Sequence, residues 1–233
     1  MGFERAQGHA SGYYRTSGTW RMVLETRAVA PFFKNGFVLA CPDTREAVVI
    51  DPGDEVDQLL AVVETRGLRA THILLTHAHV DHVTGVGRAK AVLGVPIGLH
   101  RDDLPLYERA PQQAAYFGLR VDTLPPIDFF YQPGIALKVG QHQIRAHHTP
   151  GHCPGGVCLE LQRSGETVPW LFVGDTLFAG SIGRTDLPGG DYTTLIRSIR
   201  DVLFAFGDEA RVFPGHGPET TIGEERRSNP FLQ

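Results

Sequence analysis

The chain has 233 residues and is 42% hydrophobic, enough to bury a sizeable core in one large domain or two small ones. A formal net charge of −4, with the two signs interspersed, excludes an electrostatic case for nucleic acid or an anionic membrane surface and leaves small molecules as the expected partners. Cys41, Cys153 and Cys158 form no CxxC pair, which argues against a disulfide framework and for a reducing compartment, the cytoplasm. No apolar run approaches the roughly 20 residues needed to span a bilayer, so no membrane segment is expected.

Residues 1–21 are rich in glycine, serine and polar residues without periodicity and are expected to be a flexible leader, with a catalytic domain over residues 22–233. From Met22 the pattern turns β-rich, with strands expected at 22–30, 36–41 and 46–50. A helix is expected over 54–67, where Val56, Leu59, Leu60 and Val63 recur at helical spacing and Gly67 supplies a stop. A strand at 72–75, a helix at 82–93 and a strand at 95–99 follow. Residues 103–134 read as loop-rich and aromatic, as local core or the wall of a pocket. The second half repeats the theme, with strands near 136–139, 142–148, 155–161 and 169–174, a helix over 191–206 and a strand at 211–213. Two β-then-α halves imply two sheets packed face to face with helices outside.

Directly after the apolar run Ile73-Leu74-Leu75 comes Thr76-His77-Ala78-His79-Val80-Asp81-His82. Three histidines and a carboxylate crowded behind a strand read as a site for zinc or another first-row transition metal, which neutral imidazoles and carboxylates suit. Further ligands must come from other strand ends. Three candidates stand there: His152 in His148-Thr149-Pro150-Gly151-His152, Asp175 after Leu171-Phe172-Val173-Gly174, and His216 in Phe213-Pro214-Gly215-His216-Gly217. Singly, a His or Asp after a strand is more often a turn residue or a cap.

In this order the motifs THAHVDH, HTPGH, VGD and PGHG resemble the metallo-β-lactamase fold superfamily, whose loop reads HxHxDH. The resemblance implies an α/β fold built as a four-layer αβ/βα sandwich and two divalent metal ions, zinc first and iron or manganese as alternatives. His77, His79 and His152 would hold one ion, Asp81, His82 and His216 the other, and Asp175 would bridge them. Within the superfamily, Asp51-Pro52-Gly53, the segment from Asp175 to Asp186 and the ending Asn229-Pro230-Phe231-Leu232 are similar to glyoxalase II-type hydroxyacylglutathione hydrolases of short bacterial form. That likeness implies hydrolysis of an acyl thioester such as S-D-lactoylglutathione by a water activated between the metals, with Asp81 as the catalytic orienting carboxylate. The loop Gly183-Arg184-Thr185-Asp186-Leu187-Pro188 departs from the family's GKFYEG, leaving Arg184 to bind a substrate carboxylate. GRTD is also similar to iron-dependent glutathione persulfide dioxygenases, the main alternative, ahead of a lactone or β-lactam hydrolase. Cys153, beside His152, reads as a small buried support of the turn, and His148 as the unassigned histidine best placed to support a ligand.

Overall fold

The apolar runs become strands of two sheets stacked face to face, in a computed structural model that describes residues 11–16, 19–116, 118, 121 and 124–233. The first sheet contains β1 (Ser11–Thr16), β2 (Thr19–Arg27), β3 (Gly36–Ala40), β4 (Glu46–Ile50), β5 (Arg69–Leu74), β6 (Ile97–Leu99) and β7 (Phe129–Phe130), neighbours in chain order. Pairing is antiparallel from β1 to β4 and parallel from β4 to β7. The parallel strands need crossovers: α1 (Val56–Thr65) joins β4 to β5, and α2 (Val80–Val83) and α3 (Val86–Leu93) join β5 to β6. After β6 come α4 (Leu104–Glu108) and α5 (Ala110–Tyr116).

The second half supplies β8 (Ala136–Val139), β9 (His142–His148), β10 (Val157–Gln162) and β11 (Trp170–Gly174), then a small hairpin of β12 (Leu177–Phe178) and β13 (Ser181–Ile182). Helix α6 (Tyr192–Arg197) continues through a π-helical turn over Ser198–Leu203 and a 3-10 turn over Phe204–Phe206 into β14 (Arg211–Pro214) and β15 (Thr220–Thr221), and α7 (Ile222–Ser228) follows. Their sheet runs β15-β14-β11-β10-β9-β8, with β11 and β14 parallel and its other pairs antiparallel.

Between the sheets, Leu24, Phe37, Leu39, Ile50 and Leu74 meet Ile144, Leu159, Trp170, Phe172 and Phe213. Phe172 stacks on Phe213 at 4.9 Å and meets Phe37 edge-on at 5.1 Å, geometries worth about 0.5–1.5 kcal/mol each beyond the area they bury. On the outer faces, Val38 and Val49 pack against Leu59 and Val63 of α1, and Leu171, Val173 and Val212 against Leu195 and Ile199. The central strands are therefore buried on both sides, which is why Phe37-Val38-Leu39-Ala40 and Trp170-Leu171-Phe172-Val173 are continuous apolar runs rather than alternating ones. The result is the four-layer αβ/βα sandwich.

Three expectations change. The sheet does not begin at Met22, because Ser11–Thr16 pair with residues 19–25 of β2; residues 1–10, 17 and 18 of the expected leader lie outside the described residues. The helix expected at 82–93 is broken into α2 and α3 at Thr84-Gly85, where Gly85 N donates to Pro52 O at 3.0 Å and a Cβ would strike the carbonyl of Gly53. The segment 103–134 holds α4, α5 and β7; of its aromatics Tyr107, Phe129 and Tyr131 pack against the core, and Tyr131 also lines a surface cleft. Tyr107 is buried and donates to Pro125 O at 2.8 Å, and the Tyr131 hydroxyl accepts from Leu75 N at 3.0 Å and donates towards Gly98 O at 3.0 Å. No helix among the described residues is long and apolar enough to cross a membrane.

Candidate metal centre

The parallel β4 and β5 of the first sheet end at Asp51 and at the loop 76–82. In the second sheet β9, β11 and β14 end at the turns carrying His152, Asp175 and His216. Because the two sheets face one another, these loops meet at one end of the sandwich, and all seven ligand candidates named from the sequence converge. His77, His79 and His152 form one cluster, Asp81, His82 and His216 a second, and His77, His82 and Asp175 a third between them, the ligand atoms of each within 4.8 Å of one another. His79 Nδ1 lies 2.7 Å from His152 Nε2, and His216 Nε2 lies 3.1 Å from Asp81 Oδ2. Asp175 Oδ2 is 3.6 Å from both His152 Nε2 and His216 Nε2, while its Oδ1 is 3.4 Å from His82 Nε2. The Asp175 carboxylate thus lies between the two clusters.

Buried polar atoms are normally hydrogen-bonded, and one left alone costs about 1–3 kcal/mol. Here His77 Nε2, His82 Nε2 and Asp175 Oδ1 are buried without a hydrogen-bond partner. They all point into the same space, and cations there would satisfy all three, so the donor set fits a pair of metal ions. The other ring nitrogens fix the tautomers. His82 Nδ1 faces Asp51 Oδ2 at 3.0 Å, His77 Nδ1 faces Thr76 Oγ1 at 3.2 Å, and His152 Nδ1 donates to Arg184 O at 2.8 Å. Each Nε2 is thereby left with a lone pair, as a ligating imidazole requires.

The electrostatics are shared out unevenly. Burial, then the neighbouring His82, hold His77 well below the usual imidazole range, and burial, then His152, hold His79 down to about 3. For His82 burial opposes the charge, but Asp81, Asp175 and Asp51 overcome it and raise the imidazole to about 10. Burial likewise opposes ionisation of Asp81 and Asp175, yet His82 beside them holds both below the ordinary carboxylate range. The centre thus sets two neutral imidazoles, His77 and His79, beside ionised carboxylates whose charge His82 balances until a cation takes its place. Gly215 permits the crowding, since a Cβ there would collide with Asp175 Oδ1 and the ring of His82.

Residues 29–216 match the Metallo-beta-lactamase superfamily. The chain belongs to that superfamily. It is 42% identical over 203 residues to hydroxyacylglutathione hydrolase GloC of Haemophilus influenzae, covering 86% of this chain and 93% of that protein. Among solved structures it is similar to the BLEG-1 B3 metallo-β-lactamase, at 35% identity and a TM-score of 0.80, over 91% of this chain and all of that one (100%). It is also similar to TTHA1623 in a di-iron-bound form, at 40% identity and a TM-score of 0.76, over 89% of this chain and 99% of that one.

The superfamily centre rests on supports that the sequence reading did not single out as functional. Asp51 accepts from Thr76 N at 2.7 Å and from Thr76 Oγ1 at 2.5 Å while holding His82. Behind it Lys34, itself buried, donates to Asp51 O and pairs with Glu55 at 2.6 Å. Asp103 is buried and accepts from Ala78 N at 2.8 Å and Gly155 N at 2.6 Å, tying the histidine loop to the turn after His152. Cys153 donates its thiol to the same carboxylate at 3.3 Å, and burial, then Asp103, push that thiol well up. It is the inert buried support expected of it. The Arg184 guanidinium forks onto exposed Asp186 with both bonds at 2.7 Å, and its backbone carbonyl touches the centre through His152. His148 contacts none of the seven residues in the described hydrogen bonds; its Nε2 donates to Pro154 O at 2.8 Å.

Proposed function

We propose that the protein is a dinuclear metallohydrolase that cleaves a small acyl thioester of the hydroxyacylglutathione type. His77, His79 and His152 would hold one divalent ion and Asp81, His82 and His216 the other, with Asp175 between them, zinc being the first choice and iron or manganese the alternatives. The observation that carries the reading is the convergence of these seven side chains around three buried, unpartnered ligand atoms. The thioester is favoured by the 42% identity to a hydroxyacylglutathione hydrolase over most of both chains.

When bound, two such ions lower the pKa of water and polarise a carbonyl oxygen. The chain's own residues supply the rest. Asp81, with Oδ2 against His216, would accept a hydrogen bond from an attacking water and so orient it. Asp51, Thr76 and the Arg184 carbonyl hold His82, His77 and His152 in the ligating tautomer, so that little reorganisation is needed during reaction. A thiolate leaving group, with a solution pKa of about 8.5, departs without a strong general acid, in keeping with the absence of a lysine or tyrosine from the seven. Arg184 would bind a substrate carboxylate by exchanging Asp186, whose carboxyl the guanidinium holds down to about 2. The three cysteines, all free and buried, suit the reducing cytoplasm.

Purified protein should cleave S-D-lactoylglutathione and contain two metal equivalents, and Arg184→Ala should raise KM more than it lowers kcat. Oxygen uptake with glutathione persulfide, one iron per chain and no thioester cleavage would replace this reading with the dioxygenase. Turnover of a β-lactam without thioester cleavage would replace it with the lactamase.

A further inference from the structure

A second group of metal-ligating side chains lies outside the seven. His100 follows β6, Asp102 sits in the 3-10 turn Arg101–Asp103, and His148 ends β9. One ligand atom from each falls within 4.8 Å of the others. The rings of His100 and His148 stack at 4.1 Å, only 10° from parallel, and His100 Nδ1 lies 3.8 Å from Asp102 Oδ2. Ligands on an ion with bonds of about 2.0–2.1 Å stand about 3.3 Å apart in tetrahedral geometry. The His100–Asp102 pair is about 0.5 Å wider than that, and Asp102, with 57% of its side chain exposed, can close it, while the exposed His148 turns out of the stack to bring the ion into the plane of both rings.

We propose that His100, Asp102 and His148 form a further metal site, for a first-row transition cation of the zinc or copper class. Imidazole nitrogen with one carboxylate is the donor set such ions take. The tautomers permit it: His148 Nε2 donates to Pro154 O and leaves Nδ1 with a lone pair, and His100 Nδ1 is engaged only by a long contact of 3.3 Å from Asp102 N, which an ion displaces at small cost. Burial, then the stacked His148, lower the pKa of His100, so its ring is a neutral donor near pH 7. Asp102 contributes the carboxylate of the set, the donor type complementary to a dication. Access is open, because His100 and His148 line one surface cleft with Tyr131, Arg145 and His147. Three protein ligands, two of them on exposed side chains, bind more weakly than the buried centre, so this site fills after it, when metal is in excess. The inference stands apart from the reaction proposed for the centre.

The test is a calorimetric titration of untagged protein, already carrying its full complement at the buried centre, with Zn(II). The wild type should take up one further equivalent, and His100→Ala and Asp102→Asn should each weaken that step at least about 10-fold while metal analysis shows the tightly held ions retained. No further equivalent in the wild type overturns the proposal. So does an extra equivalent whose affinity neither variant changes. If His100→Ala fails to fold, Asp102→Asn decides alone, since its exposed carboxylate is not needed for the core.

Discussion

Asp51 shows how much of a metal centre is set by a residue that touches no metal. Its carboxylate accepts from Thr76 N, Thr76 Oγ1 and His82 Nδ1, and its backbone is left-handed at φ 47°, a conformation Asp tolerates better than most residues. Lys34 clamps the carbonyl of the same residue. Asp51→Asn keeps the shape but turns an NH₂ towards a group that must itself donate, His82 Nδ1 or Thr76, so one buried donor loses its acceptor. The variant should lose about 1–3 kcal/mol of stability and about 10–100-fold in metal affinity, read by thermal melting and by competition with a chelator. Unchanged metal affinity would show that His82 needs no such orientation. In the sequence Asp51 is legible only as the first residue of an Asp-Pro-Gly turn, because nothing local says that a turn after β4 and a histidine in α2 will share a carboxylate.

The elements that hold ligands were mostly legible, and the clamps between them were not. Strands β3, β4, β11 and β14 and the end of β5 appear as apolar runs, the mostly polar β9 is placed by the Pro-Gly turn that follows it, and ligands at their ends follow from strand-then-turn chemistry. Strand β1 escapes because Ser11–Thr16 has no alternating pattern and is ordered by pairing with β2. Helix α7 escapes because Ile222–Ser228 is mostly polar, with only Ile222, Gly223 and Glu225 buried. Asp103 reads as one of two surface acids in Arg101-Asp102-Asp103, and only the fold buries it. It fastens the loops of His77, His79 and His152 through Ala78 N and Gly155 N. Asn35 does the same for the other half: its backbone N donates to Gly215 O at 2.7 Å and its Nδ2 to Pro214 O at 3.0 Å and Gly217 O at 2.9 Å, gripping the turn of His216. The two clamps should act on different ions. Asp103→Asn should loosen the ion held by His77, His79 and His152, and Asn35→Ala the one held by Asp81, His82 and His216, giving two-step metal release under chelator in place of the wild-type pattern. Release that is equally altered in both variants would mean that the centre responds as one rigid unit.

At the scale of the molecule, the proposed ligands divide between the sheets: His77, His79, Asp81 and His82 follow β5, whereas His152, Asp175 and His216 follow β9, β11 and β14. A bound ion therefore cross-links two layers otherwise joined by the apolar core and by clamps such as Asn35 and Asp103, and the unfolded chain offers no preformed site. Ligands that bind only the folded state stabilise it by mass action, by about 4 kcal/mol when the free ion is at 1,000 times its dissociation constant. For a chain of this size each kcal/mol moves the melting temperature by about 2–4 °C, so stripping the ions should lower it by roughly 8–16 °C. The two sheets should melt together in both forms, because Phe37, Phe172 and Phe213 interlock across the interface whether or not the ends are tied. Calorimetry before and after dialysis against chelator measures both quantities, and restoring Zn(II) should return the transition to its original temperature. A melting temperature indifferent to chelation, with metal analysis proving removal, would separate the centre from the stability of the fold and leave the core alone holding the sheets together.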